Sequence, residues 1–436
     1  MPRLVIIGAS LAGLRAAEAA RRFGFTGEIS LIGAETHLPY DRPPLSKEFL
    51  ATTVPAELPP TLRGAQALRV ELGVDIRLGC TATGLDLANR LVRLDDDLDG
   101  GNDGTGRHDG SGRHGGSGRH GARHGSGRGA ELAYDALVIA TGSRARSLPG
   151  TDHLTGVHTL RTVDDAWQIR SALDAGANTV VVGAGFIGSE VASSARRRGA
   201  PVTVVEALPV PLAAAVGPEM GAACARLHER NGVRLHCGVG VSAIEGNGRV
   251  ERVRLADGTV LPADLVVVGI GAVPNTGWLA DSGLTLSGGV VCDEYLAASA
   301  PGVYAAGDVA RWANPLFDGE PMRLEHWTTA VEQAIAAARN AVAGLAGEAP
   351  TPFATVPYFW SDWYDSRIQF VGLPGAEEIQ VMVGGDQSEG GLLAIYRRGE
   401  KLIGALGVNK AKLITLCRRL IGTRASWNEA ILALAA

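Results

Sequence analysis

The chain has 436 residues, of which 46% are hydrophobic and 20% charged, the balance of an ordinary globular protein with room for two or three domains. Its formal net charge of −5 excludes a whole-protein attraction to nucleic acid or to acidic membranes. Its five cysteines, Cys80, Cys224, Cys237, Cys292 and Cys417, contain no C-x-x-C pair, which argues against a disulfide framework and a thioredoxin-like redox pair.

The opening MPRLVIIG reads as a strand and not as a signal peptide. No uncharged apolar run reaches the roughly 18 residues of a membrane span. The expectation is a soluble, cytoplasmic α/β protein.

Leu4–Ile7 is an apolar run suited to a buried parallel strand. The loop Gly8-Ala9-Ser10-Leu11-Ala12-Gly13 follows and opens an Ala-rich helix; a second strand, Ile29–Ile32, leads to Gly33 and Glu35. This strand–loop–helix–strand–acid unit is built to bind an ADP moiety. Gly8 permits the tight turn and Gly13 close helix–strand packing. Backbone N–H groups at the helix start take the pyrophosphate, and Glu35 the ribose hydroxyls. The pattern departs from the usual one at Ser10, where its middle glycine would stand.

The proline-rich segment Leu38–Leu50 cannot be regular sheet or continuous helix. Val70–Leu78 and Cys80–Leu87 read as strands, and Leu91–Leu94 as half of a hairpin completed by Leu132–Tyr134. Between the hairpin halves, Asp99–Gly129 repeats a GSGRH-like unit carrying His108, His114, His120 and His124. With so little apolar surface it reads as a disordered insertion, spanning 99–130 in the domain plan. Histidine-rich tracts bind metals, but no metal site is assigned.

Ala136–Gly142 (ALVIATG) is a buried strand ending in Thr141 and Gly142. Thr179–Glu206 then repeats the opening plan with all three glycines, Gly183, Gly185 and Gly188, before a second strand, Val202–Val205, and Glu206. One glycine fingerprint is weak evidence; two complete units, each closed by a carboxylate, point to two dinucleotides, most commonly a flavin and a nicotinamide cofactor. Strand patterns recur at Val233–Leu235, Arg249–Leu255 and Leu265–Ile270, the last two joined by a tight turn at Asp257–Val260. Gly302–Asp308 (GVYAAGD) ends in an acid suited to ribityl hydroxyls or to capping a helix. Leu324–Ala343 is a helix. Beyond Pro350, strands near Arg367–Val371, Glu378–Val383, Leu392–Tyr396 and Lys401–Val408 and a helix near Lys410–Leu420 form a separate α+β module.

Eight segments carry a resemblance: YDRPPLSKEFL, ATGS, LRTVDDA, GAGFIGSE, GIGAVPNT, VYAAGD, LEHWTTA and FWSDWYD. Through them nearly the whole chain, apart from the insertion, resembles the FAD-dependent pyridine nucleotide-disulfide oxidoreductases. Within that superfamily it is similar to the putidaredoxin reductase-like ferredoxin reductases of oxygenase systems. The resemblance implies an α/β chain with two Rossmann-like, glutathione reductase-like dinucleotide domains and a C-terminal α+β domain. Residues 1–148 and 274–326 would bind FAD, 149–273 NAD, and 327–436 would form the interface domain.

Residue by residue, the resemblance puts Gly8, Ser10, Leu11 and Gly13 at the FAD pyrophosphate and Glu35 at the adenosine ribose. Arg42 and Lys47 lie by the pyrophosphate and flavin, with Lys47 near N5. Ala82 meets the adenine, Arg161 contacts FAD, Asp308 binds the ribityl chain, and Glu325, His326 and Trp327 approach the isoalloxazine. Thr141, Gly142 and Gly271 join the cofactor-binding set. Gly183, Gly185, Ile187 and Gly188 take the nicotinamide dinucleotide's pyrophosphate, Glu190 its nicotinamide end and Glu206 its adenosine ribose. An acid at Glu206 with no arginine directly after it favours NADH over NADPH. Lys47, Glu190 and Trp327 are the candidate catalytic residues, and Trp360 is expected near the exposed flavin edge.

Tyr40–Leu50 lacks the cysteine of disulfide or peroxide reductases, so electrons are expected to leave singly to a [2Fe–2S] ferredoxin, or a rubredoxin. Arg397, Arg398, Lys401, Lys410, Lys412, Arg418 and Arg419 offer an acidic carrier a basic face. Monomer and homodimer are both compatible. Two alternatives stand: an NADH oxidoreductase with a quinone, radical or dioxygen acceptor, and a redox-sensing binding protein resembling apoptosis-inducing factor.

Overall fold

A computed structural model describes residues 1–54, 61–96, 130–383 and 391–435. The histidine-rich tract lies outside the described residues.

Two five-stranded parallel sheets form the body. The first runs in the spatial order Val303–Ala305, Ala136–Ile139, Arg3–Ile7, Glu28–Gly33, Val74–Leu78. The second runs Arg234–Cys237, Val202–Glu206, Thr179–Val182, Leu265–Val268, Val157–Thr159. Their inner strands are rich in Val, Ile and Leu because both faces are covered, in the second sheet partly by the antiparallel strands Val250–Leu255 and Val260–Pro262; the few polar side chains there, such as Ser30, Thr179 and Thr203, are buried. Both nucleotide units keep their expected plan, with helices at Leu11–Arg22 and Phe186–Arg197.

The long helix Trp327–Ala346 packs along Leu11–Arg22 through alanines on both sides, among them Ala12, Ala16, Ala334 and Ala337, all buried. Small side chains let the two backbones approach closely. A two-stranded antiparallel ribbon, Ser143–Ala145 with Ala272–Pro274, links the parts carrying the two large sheets. The last module is a five-stranded antiparallel sheet in the order Tyr358–Trp363, Ser366–Gly372, Lys401–Val408, Leu392–Arg398, Glu378–Val383. Helices Ala411–Gly422 and Trp427–Ala435 accompany it. Among the described residues no helix is long and apolar enough to cross a membrane.

The expected hairpin is present, Leu91–Asp96 pairing with Ala130–Ala133. Other local expectations need correction. Val70 lies in a helical turn, Ala67–Glu71, and the strand starts at Val74, after Gly73 at φ +59° breaks the chain direction. The turn at Asp257–Val260 leads to a separate strand, Val260–Pro262, which pairs with Val250–Leu255, whereas Leu265–Val268 enters the parallel sheet. Among the described residues, three helices of nine or more residues lie outside the expected elements: Val163–Asp174, Pro218–Arg230 and Trp427–Ala435. Val163–Asp174 opens on a capping box in which Thr162 and Asp165 satisfy each other's backbone N–H groups. Pro218–Arg230 begins on a proline, whose missing N–H is not needed there.

Candidate functional site

Both glycine loops converge on one cavity of about 840 Å³. In the first unit, Gly8 has φ +117°, and a Cβ there would lie 2.1 Å from the Ala140 carbonyl oxygen. A Cβ on Gly13 would lie 1.8 Å from the Gly8 carbonyl oxygen. The second unit repeats this contact, Gly188 facing the Gly183 carbonyl oxygen at 2.0 Å. These glycines bring helix and strand together. Ser10 has φ −114°, open to any residue, so the missing middle glycine costs the backbone nothing.

Most expected site residues line the cavity: Gly8, Ser10, Leu11, Glu35, Arg42, Lys47, Ala82, Thr141, Gly142, Arg161, Gly185, Ile187, Glu190, Gly271, Asp308, Glu325, His326 and Trp327. Gly13, Gly183 and Gly188 lie behind the wall as packing positions. Glu206, at the end of Val202–Glu206, accepts the Ala184 N–H at 2.7 Å and the Leu208 N–H at 2.8 Å, so its carboxylate is held at the mouth of the second loop.

At one end of the cavity, Glu35 accepts the Tyr40 hydroxyl at 2.6 Å and pairs with Arg42. Burial alone would raise its carboxyl, but Arg42 and Tyr40 outweigh that and hold it below the usual carboxylate range. Burial pushes the Tyr40 phenol up. Arg42 also donates to the Arg161 carbonyl at 2.6 Å and, weakly, to Ser10 Oγ at 3.3 Å. Asp308 accepts Ser143 Oγ at 2.8 Å and Arg161 Nη2 at 2.9 Å on the same oxygen. Asn275 clasps the Thr141-Gly142 strand end, its side-chain amide donating to the Thr141 carbonyl and its backbone carbonyl accepting the Thr141 hydroxyl, each at 2.9 Å.

Where the two units meet, Glu190 is 3% exposed. One carboxylate oxygen accepts Lys47 Nζ at 2.8 Å and Ser46 Oγ at 2.5 Å; the other accepts Ser361 Oγ at 2.6 Å. The cation, the acid and two hydroxyls thus come from three distant stretches of chain. Nearby, Trp327 Nε1 donates to Asp41 at 2.8 Å, and its ring meets Trp360 edge-on at 6.3 Å. His326 packs against Phe359, and burial, opposed by Asp308, lowers its imidazole to about 4, so it is neutral near pH 7. Tyr40, Ser46, Ser143, Asn275 and Ser361 are not among the site residues expected from the sequence, although all five lie inside the motifs that carry the resemblance.

The model of the pyridine nucleotide-disulphide oxidoreductase family matches residues 2–334, and that of the reductase C-terminal family residues 358–436. The chain belongs to the pyridine nucleotide-disulphide oxidoreductase family. Among curated members, the ferredoxin–NAD(+) reductase component of the biphenyl dioxygenase system of Paraburkholderia xenovorans (strain LB400) is 36% identical, covering 97% of this chain and 94% of the relative. Rhodocoxin reductase of Rhodococcus erythropolis is also 36% identical, covering 96% of this chain and 89% of its own. Of solved structures, the reductase in the covalent putidaredoxin reductase–putidaredoxin complex superposes with a TM-score of 0.83 at 31% identity, over 97% of this chain and 93% of that one.

Against that family background the cysteines are telling. Cys80 is the cysteine on the cavity wall, and no second one lines it. Two vicinal thiols for a disulfide relay are therefore absent from the described wall. Four of the seven basic residues expected on the face of the last module have acidic partners: Arg397 pairs with Glu378, Arg398 with Glu320, Lys401 with Asp318 and Arg418 with Glu332. Among the described residues, no group of three or more His, Cys, Asp or Glu side chains is arranged to hold a metal ion.

Proposed function

We propose that this chain is an NADH-dependent ferredoxin reductase, holding FAD in its first nucleotide unit and taking NADH on its second. Its acceptor is a [2Fe–2S] ferredoxin, or a rubredoxin, of an oxygenase system. The observation that carries the reading is the pairing of Lys47 with the buried Glu190 on the wall of a single cavity onto which both glycine loops open, with no cysteine pair among the described lining residues. The activities of the relatives point the same way.

The residues fit the two dinucleotides. Any Cβ at Gly8 or Gly13 would collide with backbone, so only glycine lets this loop form and turn its N–H groups toward a pyrophosphate. Arg42 adds a cation beside that loop, Glu35 offers carboxylate oxygens to a ribose, and Asp308 offers its remaining lone pairs to a polyol chain. Bound FAD supplies the redox chemistry, taking up a hydride and giving electrons up singly. The protein's part is to orient and to tune. Lys47 holds a positive charge at the wall, which favours any negative charge gathering next to it. Glu190 fixes that ammonium in place, and the neutral His326 with Trp327 and Trp360 keeps one side of the cavity apolar. Glu206, already anchored by two backbone N–H groups, accepts ribose hydroxyls and repels a 2′-phosphate.

In this reading residues 1–148 and 274–326 serve FAD, 149–273 NADH, and 327–436 the acceptor. The test is an anaerobic titration with NADH and NADPH, followed by cytochrome c reduction with a panel of ferredoxins. NADH should bleach the flavin at far lower concentration than NADPH, and cytochrome c reduction should require a ferredoxin. Equal turnover with and without every carrier would refute the reading in favour of a small-molecule acceptor. Slow reduction ending in a long-lived charge-transfer species would favour a redox-sensing role.

A further inference from the structure

Strand Tyr358–Trp363 alternates, with Phe359, Ser361 and Trp363 buried and Tyr358, Trp360 and Asp362 only partly so. The buried side packs on the helix Phe186–Arg197, which carries Glu190. A serine with no exposure between two aromatic residues is out of place unless its hydroxyl has work to do. Its two contacts fix the direction of its proton. The indole Nε1 of Trp363, also without exposure, lies 2.9 Å from Ser361 Oγ and can only donate. Ser361 Oγ therefore accepts from the indole, and its own proton points to Glu190 Oε1 at 2.6 Å. That leaves the opposite oxygen of the carboxylate, Oε2, for Ser46 and Lys47.

We infer that Ser361, itself oriented by Trp363, is a positioning residue of the hydride-transfer site. It sets the plane of the Glu190 carboxylate, and through it the place of the Lys47 ammonium. The C-terminal module, which also lends Phe359 and Trp360 to the cavity wall, thereby orients the charged pair of the other two. This inference rests on the proposed reductase function.

The consequence is a loss of rate rather than of cofactor. Ser361→Ala removes the donor to Glu190 Oε1 and the acceptor of the Trp363 indole together, so the carboxylate is free to rotate about its remaining donors. Contacts to the adenosine halves of both dinucleotides are untouched.

The experiment is anaerobic stopped-flow reduction of FAD-loaded protein by NADH, and by NADH deuterated at the transferred position, with bound FAD and the NADH dissociation constant measured alongside. Losing one hydrogen bond to an ionised group should slow the isotope-sensitive limiting rate of Ser361→Ala about tenfold, while the NADH dissociation constant stays within about twofold. Ser361→Thr keeps the hydroxyl on a β-compatible side chain and should recover the rate to within about threefold of wild type. A wild-type rate in Ser361→Ala overturns the inference, as does a Thr variant as slow as the Ala variant, which would indicate packing alone. If Ser361→Ala does not retain FAD, Trp363→Phe keeps an aromatic side chain, though a smaller one, and drops the N–H; it should slow the same step about threefold, and an unchanged rate overturns the inference. A wild-type flavin that NADH does not reduce overturns the functional reading itself, a result distinct from any variant effect.

Discussion

The assignment of one dinucleotide to each unit is tested by a matched pair of substitutions, Gly13→Ala and Gly188→Ala. The two glycines occupy equivalent places, and their added methyls would lie 1.8 Å and 2.0 Å from the carbonyl oxygens of Gly8 and Gly183. Ordinary contact begins near 3.4 Å. Because the obstacle is backbone and not a side chain that can rotate, the helix must retreat from the strand, dragging its N-terminal N–H groups off the pyrophosphate position. Overpacking of this kind costs about 1–3 kcal/mol, which corresponds to roughly a 5- to 150-fold weaker dissociation constant when the cost falls on the bound state. Gly13→Ala should therefore lose FAD on dilution or gel filtration. Gly188→Ala should retain FAD, with its absorbance intact, while the NADH dissociation constant from stopped-flow titration rises within that range. Gly185→Ala is the control for the loop itself, since its methyl would meet only the Gly269 carbonyl oxygen, at 3.8 Å, so any loss there reflects ligand approach and not folding. Loss of FAD in Gly188→Ala, or unimpaired NADH binding by it, would refute the division of labour.

Three further outcomes are expected. Lys47→Met strands a carboxylate that is 3% exposed, so it should destabilise the protein by about 3 kcal/mol and lower the flavin reduction potential; Lys47→Met with Glu190→Gln should recover most of the stability, and strictly additive urea or thermal shifts would disprove the coupling. Glu206→Gln keeps an acceptor for backbone N–H groups but removes the charge facing a 2′-phosphate, so the NADH over NADPH preference in kcat/KM should shrink about tenfold; an unchanged ratio would move cofactor choice elsewhere. Burial depresses both His228 and His326 to about 4, whereas unfolded histidine titrates near about 6.5. The unfolded chain thus binds more protons between those values, and the stability these residues contribute is complete above about pH 6.5 and lost as pH falls toward 4. Thermal midpoints should drop over that window, less steeply in His326→Asn; identical slopes would show that His326 stays protonated in the fold.

Legibility followed the range of the forces involved. Strand, glycine turn and helix of each nucleotide unit are local, and the collision that demands Gly13 at Gly8 is five residues long, so the sequence displays it openly. The helix Val163–Asp174 is equally local, but its capping box closes with Asp165 where the usual signature has Glu or Gln, so the signal is weaker. The basic module shows the opposite case. Its arginines and lysines are plain in the sequence, but Glu320 and Asp318, which neutralise Arg398 and Lys401, come from another sheet and the turn beside it.

What the sequence determined by itself is the pair of dinucleotide loops, their terminal acids Glu35 and Glu206, and the lack of a cysteine in Tyr40–Leu50, because each depends on residue type at short spacing. Only the tertiary structure decided which groups meet at the centre. Ser46 and Ser361 reach Glu190 across 144 and 171 residues, and Arg161 reaches Asp308 across 147. A serine or an aspartate has no local pattern that announces such a partner. Its meaning is set by the desolvation of a buried carboxylate, which makes each distant donor necessary once the three parts of the chain are packed together.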